Sequence, residues 1–240
     1  MVKVRILGIS GTPIKDGNCD KMVQEALKAC TQLSDVETEF ITLADKEVAM
    51  CKHCQWCIEN MAPCKIKDDA PAILDRIGQS DGLILGSPTW SDTLSPPLLI
   101  LFSRTRYISF FTHSYRNKPV GILTIGFLGY GLDNALTVMK NMLWLSNMIV
   151  VAQGRAIASG RVFGKRPDYL EHGVLDDTFG MLQTRLVGHR VVELARMIKF
   201  AAENGVGVPD EYKRIFTGGR VRPREERVFI EGAWREKEKI

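Results

Sequence analysis

A chain of 240 residues, 45% of them hydrophobic, can bury a full core and fits one domain, or a domain with a tail. Its net charge of +4 is small and scattered, so neither nucleic acid nor a membrane surface is expected as a partner. No apolar run reaches membrane length without a charge, Pro or Gly, and no small-residue cleavage site follows the first one. A soluble, cytoplasmic protein with reduced thiols is expected.

Lys3–Ile9 reads as a buried strand, followed by a Gly/Pro/Asp loop from Ser10 to Gly17. Met22, Val23, Ala26, Leu27 and Cys30 recur at helical spacing, which predicts an amphipathic helix from Asn18 to about Leu33, with Asn18 as its cap. Val36–Leu43 alternates apolar and polar residues and reads as a second strand. After a cysteine-rich segment, "APAILDRIGQSD" predicts a helix with Pro71 in its first turn, and Gly82–Trp90 a short apolar strand. "LSPPLLILFSRTRYISFF" suits one helix beginning at its proline pair. Pro119–Gly126 is a further buried strand, Leu132–Ser146 a helix and Met148–Gly154 a fifth strand. Arg155–Asp176 is polar and reads as an excursion, Thr184–Asn204 as a strong last helix. Residues 1–208 are taken as one domain and 209–240 as a charged tail or oligomerisation arm.

Five strands alternating with helices predict an α/β fold: a doubly wound, five-stranded parallel sheet with helices on both faces. Ligands of such sheets bind beyond the carboxyl ends of the strands. Three loops lie there. "SGTPIKDGNC" (Ser10–Cys19) opens the first helix with small and hydroxyl residues, so backbone N–H groups and a helix N-terminus suit a phosphate. Ser10, Thr12 and Asn18 can donate to it, with Lys15 nearby. Neither G-x-x-x-x-G-K-[ST] nor G-x-G-x-x-G is present, which favours a phosphate monoester over a pyrophosphate, against an ordinary strand-to-helix turn. In "GSPTWSD", Pro88 and Thr89 can present backbone to a heterocycle edge and Trp90 can cover a ring face. "GFLGYGLDNA" allows close backbone approach at Gly126, Gly129 and Gly131. Together the loops outline a pocket for a phosphorylated flat cofactor.

"CKHCQWCIENMAPC" holds Cys51, Cys54, Cys57 and Cys64, four of six cysteines, spaced Cys-x2-Cys-x2-Cys-x6-Cys. A reducing compartment and a core-rich chain argue against disulfides. Structural zinc sites usually take two separated Cys-x2-Cys pairs, whereas three consecutive x2 steps are of the ferredoxin type that wraps a [4Fe–4S] cubane. Zinc, or an unmetallated redox pair, stays open beside it. His53 between two cysteines is surplus to four thiolates. Cys19 and Cys30 read as buried structural thiols.

The phosphate loop after the first strand and the compact four-cysteine run before the third resemble the iron–sulfur flavoproteins, relatives of the NAD(P)H-dependent FMN reductases. The resemblance covers roughly residues 1–150 and implies a flavodoxin-like sheet with FMN at the strand ends. It further implies a [4Fe–4S] cluster on Cys51, Cys54, Cys57 and Cys64, and a homodimer or homotetramer. By position, Ser10, Thr12, Lys15, Gly17, Asn18 and Cys19 would surround the FMN phosphate. Pro88, Thr89 and Trp90 would meet the isoalloxazine, with Gly126, Gly129 and Gly131 on its other side. The family loop commonly reads Ser-Gly-Ser-Pro-Arg-Lys. Here Thr12 and Ile14 replace two of those residues, Cys19 stands where Ser or Thr is usual, and Asp133 and Asn134 replace a Gly-Gln-Glu pattern. The implied role is electron transfer between the cluster and FMN, coupling a ferredoxin-like donor to dioxygen, peroxide or quinones. The alternatives are an NAD(P)H-dependent FMN or quinone reductase with structural zinc, and a redox sensor without turnover. No acid–base dyad or nucleophile–His arrangement is readable in the chain.

Overall fold

The computed structural model describes residues 2–158 and 173–207, together with two strands, 227–230 and 233–236. The core of the fold is a parallel sheet. Its strands are β1 (Val4–Ser10), β2 (Val36–Thr42), β3 (Gly82–Trp90), β5 (Pro119–Phe127) and β6 (Ile149–Ala158), in the order β2-β1-β3-β5-β6. A two-residue strand, β4 (Thr93–Leu94), folds back antiparallel on the end of β3 through Ser91 and Asp92, both left-handed. Strand order reverses between β1 and β3, so the crevice beyond those two strands is the topological switch point.

Each strand sends alternate residues to opposite faces, and each face collects its own helices. Leu7, Ile9, Leu83, Leu85 and Ile122 pack beneath α3 (Ala70–Gln79), α4 (Pro96–Phe102) and α5 (Leu132–Trp144). Ile6, Ile84, Leu123 and Ile125 pack beneath α1 (Asn18–Thr31) and the long α6 (Thr178–Glu203). The second face is tight: a Cβ on Gly86 would lie 2.4 Å from Val23 Cγ2, so only glycine lets α1 sit this close to β3. Among the described residues no helix is long and apolar enough to cross a membrane.

Three sequence expectations shift. Gly17, not Asn18, is the N-cap of α1, because Asn18 turns its side chain away to accept the Val174 N–H. The helix from the proline pair ends at Phe102 instead of running to Phe111. There the Ser103 and Thr105 hydroxyls bond back to Ile100 O and Phe102 O, and the chain re-forms as a wide turn over Ile108–Thr112. The fifth strand continues past Gly154 to Ala158, since its backbone stays paired with Leu123–Phe127 of β5. Most of the Arg155–Asp176 excursion, residues 159–172, lies outside the described residues. So does the charged tail, except for β7 (Arg227–Ile230) and β8 (Ala233–Glu236), which pair with each other antiparallel.

Candidate functional site

Two features gather near the switch point, one at each end of α4. At its N-terminus, Ser95 donates through its hydroxyl to Gly11 O in the loop after β1 and meets Ser87 Oγ at 3.1 Å. At its C-terminus, Ser103 Oγ accepts the Cys51 N–H at 3.2 Å. Ser95 and Ser103 are eight positions apart, so the two anchor points are separated by about 12 Å along the helix.

The first feature is a cleft of about 190 Å³ among the carboxyl ends of β1, β3, β5 and β6. Thr12, Gly17, Asn18 and Cys19 form one side, and Pro88, Thr89, Trp90 and Gly126 the other. Ile14, Ile125, Phe127 and Ala158 complete it; Phe127 and Ala158 lie beyond their expected strands, Ile14 lies in the loop, and Ile125 reads as strand interior, so none stands out by pattern as a site residue. Trp90 stays 45% exposed at the rim, available to a ring face.

The remaining loop residues hold the walls. Asp16 is left-handed, and its N–H is accepted by Asp20 Oδ2 at 2.8 Å, while Asp20 Oδ1 takes the Thr42 hydroxyl at 3.0 Å. Asp20 thus pins the loop to the end of β2. An acid in the first turn of a helix opened by a Gly-rich loop was its legible signal. Thr12 Oγ1 accepts the Ile14 N–H at 3.1 Å. Lys15 is directed outward and pairs with Asp45 at 3.6 Å, so it does not line the cleft. Gly129 and Gly131 do not line it either; both are left-handed and shape the third loop. That loop is tied to the second by Thr89 Oγ1 donating to Tyr130 O at 3.0 Å and Asn134 Nδ2 donating to Asp92 O at 2.8 Å. Asp133 is engaged by Arg155.

Beneath the first loop, Ser10 Oγ is fully buried without an oxygen or nitrogen partner, beside the Cys19 thiol. Burial pushes that thiol up to about 12, so Cys19 is neutral at ordinary pH and sets no charge against an anion in the cleft. Ser10, buried against Cys19, does not line the cleft, whereas the first-turn N–H groups of α1 open onto its Gly17–Cys19 wall and fit a phosphate.

The second feature is the cysteine segment between β2 and α3. His53, Gln55 and Met61 are all left-handed, and a single turn, α2 (Trp56–Glu59), sits between them. Non-glycine residues pay about 1 kcal/mol each for that conformation, which bends the segment back on itself. Its ends are zipped together. Asp69 N–H donates to Glu47 O at 2.9 Å, Glu47 N–H to Asp69 Oδ2 at 2.8 Å and Ala49 N–H to Asp68 Oδ2 at 2.9 Å. The fully buried Arg104 guanidinium crosses this neck to Ala49 O and Asp68, each at 2.7 Å. The Asp68 pair holds Arg104 charged against the cost of burial, and Arg104 holds the Asp68 carboxyl below its usual range despite desolvation.

All six cysteines are free thiols. Burial raises the Cys57 thiol, Arg106 opposes it, and Cys64, Cys51 and Cys54 add to the rise, so Cys57 lies within electrostatic reach of the other three. Among the described residues, however, no three His, Cys, Asp or Glu side chains are gathered as a metal-binding group. In kind and number the donors match a four-thiolate centre.

The NADPH-dependent FMN reductase family profile matches residues 4–161. An iron–sulfur flavoprotein of Methanocaldococcus jannaschii is 34% identical over 199 residues, covering 82% of this chain and 100% of its own length. This chain belongs to the iron–sulfur flavoprotein family. A second such protein, from Archaeoglobus fulgidus, is 28% identical and covers 79% of this chain and 96% of its own. Among solved structures, RosB with a bound 8-demethyl-8-formylriboflavin-5′-phosphate intermediate aligns with a TM-score of 0.65 at 17% identity, covering 86% of this chain and 89% of its own. A flavone reductase aligns at 0.60 and 18% identity, over 82% and 65% of the two chains. These neighbours share the flavodoxin-like fold. Membership supports a flavin-dependent oxidoreductase or electron-transfer role for this chain.

Proposed function

We propose that this protein binds FMN in the cleft at the switch point and a [4Fe–4S] cluster on Cys51, Cys54, Cys57 and Cys64, and that it moves electrons between one-electron donors and two-electron acceptors. The observation that carries this reading is α4: one helix ties the loop after β1, at Ser95, to the cysteine segment, at Ser103. When bound, FMN supplies one- or two-electron chemistry and the cluster supplies one-electron chemistry.

The chain's own residues bind and orient. The first-turn N–H groups of α1 would hold the phosphate, and Asp20 fixes the loop that presents them. Pro88, Thr89 and Gly126 would face the ring system, and Trp90 would cover it from the rim. Neutral Cys19 adds no repulsion. A ferredoxin-like donor and small oxidants are the proposed electron partners. Assembly into a dimer or tetramer is part of the reading, supported by the exposed stripe Phe179, Leu182 and Leu186 on one side of α6.

Iron per chain in anaerobically purified protein, read beside the visible spectrum, tests the proposal. About four irons per chain with a broad band at roughly 400 nm over a flavin spectrum is the expected result. Zinc without iron would instead favour a second reading, an NAD(P)H-dependent FMN or quinone reductase with a structural zinc site. The FMN reductase match supports that alternative, and direct bleaching by NADPH would identify it.

A further inference from the structure

We propose that Arg104 is a positioning residue of the cysteine centre: it closes the neck of the Cys51–Cys64 segment and donates its one remaining N–H to the Cys64 sulfur. The inference rests on the four-cysteine reading above and assigns a role to a residue outside the motif.

A guanidinium has five N–H donors. Four have acceptors. Nη1 reaches Ala49 O and Asp68 Oδ2, both at 2.7 Å, and Nη2 reaches Asp68 Oδ1 at 3.2 Å and Ile66 O at 3.5 Å. Ala49 precedes the first cysteine and Ile66 follows the last, so the same group holds both ends of the segment. The fifth donor, Nε–H, is buried with no hydrogen-bond partner. The arginine side chain is 0% exposed and Asp68 6%, so water does not supply one.

Cys64 is the neighbour left over. It lies close enough to contribute to the charge balance of the guanidinium, and both residues line the same cavity of about 350 Å³ between α3 and the chain after α4. A neutral thiol is a weak acceptor, whereas a metal-bound thiolate is anionic and a strong one. Cys64 is already a hydrogen-bonding and charged neighbour of the guanidinium, and metal binding would turn its thiol into the strong acceptor that the Nε–H lacks. N–H groups aimed at ligand sulfur stabilise the reduced, more negative state of such centres and raise their potential, and outer-shell partners of this kind govern metal retention. Asp68 completes the device by neutralising Arg104, so the neck is formed before metal arrives.

Arg104→Lys retains a cation for Asp68 but loses the fork and the Nε–H. Three measurements on wild type and Arg104→Lys test the proposal, with FMN affinity as the check that the fold survives; Asp68→Asn is the second variant should Arg104→Lys fail that check. Expected are FMN affinity within about twofold of wild type, iron loss to a chelator about tenfold faster or more, and a midpoint potential shifted negative in an EPR-monitored titration. In metal-free protein, trypsin is expected to cut at Lys52, Lys65 and Lys67 markedly faster in the variant, since the neck that wild-type Arg104 closes without metal is open once its fork is lost. Wild-type iron retention and potential in Arg104→Lys would overturn the sulfur contact and leave an ordinary buried ion pair. Unchanged proteolysis would overturn the neck closure. A wild type that holds FMN but neither iron nor zinc ends the four-cysteine reading and the sulfur contact with it, and proteolysis alone then decides the neck.

Discussion

Asn18 Oδ1 accepts the Val174 N–H at 3.0 Å, joining the first turn of α1 to the chain that follows β6, 156 residues away. The wall of the cofactor cleft is therefore held by a segment that only the tertiary fold brings to it. Replacing Asn18 by Ala removes that acceptor. Faster amide exchange at Val174, with FMN binding weakened by about tenfold, is expected from hydrogen-exchange mass spectrometry and flavin-fluorescence titration. Unchanged exchange would show that the contact carries no load.

Asp20 makes a sharper test of the loop. Asp20→Ala strands the Asp16 N–H and the Thr42 hydroxyl, whereas Asp20→Asn keeps an acceptor for one of them. A stability loss of about 2 kcal/mol is expected for Ala, with roughly half of it recovered in Asn, read from urea midpoints. FMN affinity should fall in the same order. Equal affinity in both variants would mean the loop does not meet the phosphate.

Thiol chemistry should divide the six cysteines. Cys19 and Cys30 are pushed up to about 12 by burial, while the four cysteines of the segment are partly or fully exposed. In folded, metal-free protein at pH 8, an alkylating reagent is expected to label Cys51, Cys54, Cys57 and Cys64 and to spare the other two, by peptide mass spectrometry. Rapid labelling of Cys19 would contradict its burial under the first loop.

The same shifts set an alkaline limit. Between the ordinary value of 9.0 and about 12, folded Cys19 and Cys30 keep protons that the unfolded chain releases, so stability falls as pH rises through that window. Each contributes at most about 1.4 kcal/mol per pH unit. Lys118, pushed down to about 8 by burial, opposes this up to its ordinary 10.5, because there the unfolded chain holds the extra proton. Denaturation midpoints should therefore fall gently from pH 9 and steeply above about 10.5. In Cys30→Ala the steep limb should become shallower, the remaining slope coming from Cys19 and from Tyr115, whose hydroxyl burial likewise raises.

Gly188 is where α6 meets α1: a Cβ there would lie 2.4 Å from Ala26 O, and Cys30 Sγ donates to Gly188 O at 3.4 Å. Gly188→Val is expected to cost about 3 kcal/mol or more in thermal or urea unfolding, while Gly205→Ala, with nothing within 4 Å, is limited to the strain of its φ of +70°. A melting temperature unchanged by Gly188→Val would mean the two helices are not packed at this distance.

The fold was legible because its signals are local. Gly82–Trp90 reads as a strand from its apolar run and is one, with the same bounds. The helix expected to reach Phe111 shows the limit. Its residues favour helix, yet Ser103 and Arg104 are taken by Cys51 and Asp68, 52 and 36 positions away. Nothing in a helical period announces such a claim. Lys15 is a parallel case at the cleft: proximity in sequence suggested a phosphate contact, and Asp45, 30 residues on in the chain, draws it outward.

By itself the sequence determined the alternation of strands and helices, the loop that opens α1 and the spacing of the four cysteines, since each follows from short-range pattern and backbone propensity. Only the tertiary structure decided which loops face one cleft, which helix joins that cleft to the cysteine segment, and which buried arginine closes its neck. Those relationships depend on desolvation and on hydrogen bonds between distant residues. A donor such as Arg104 Nε, deprived of water, becomes informative only once the chain around it is closed.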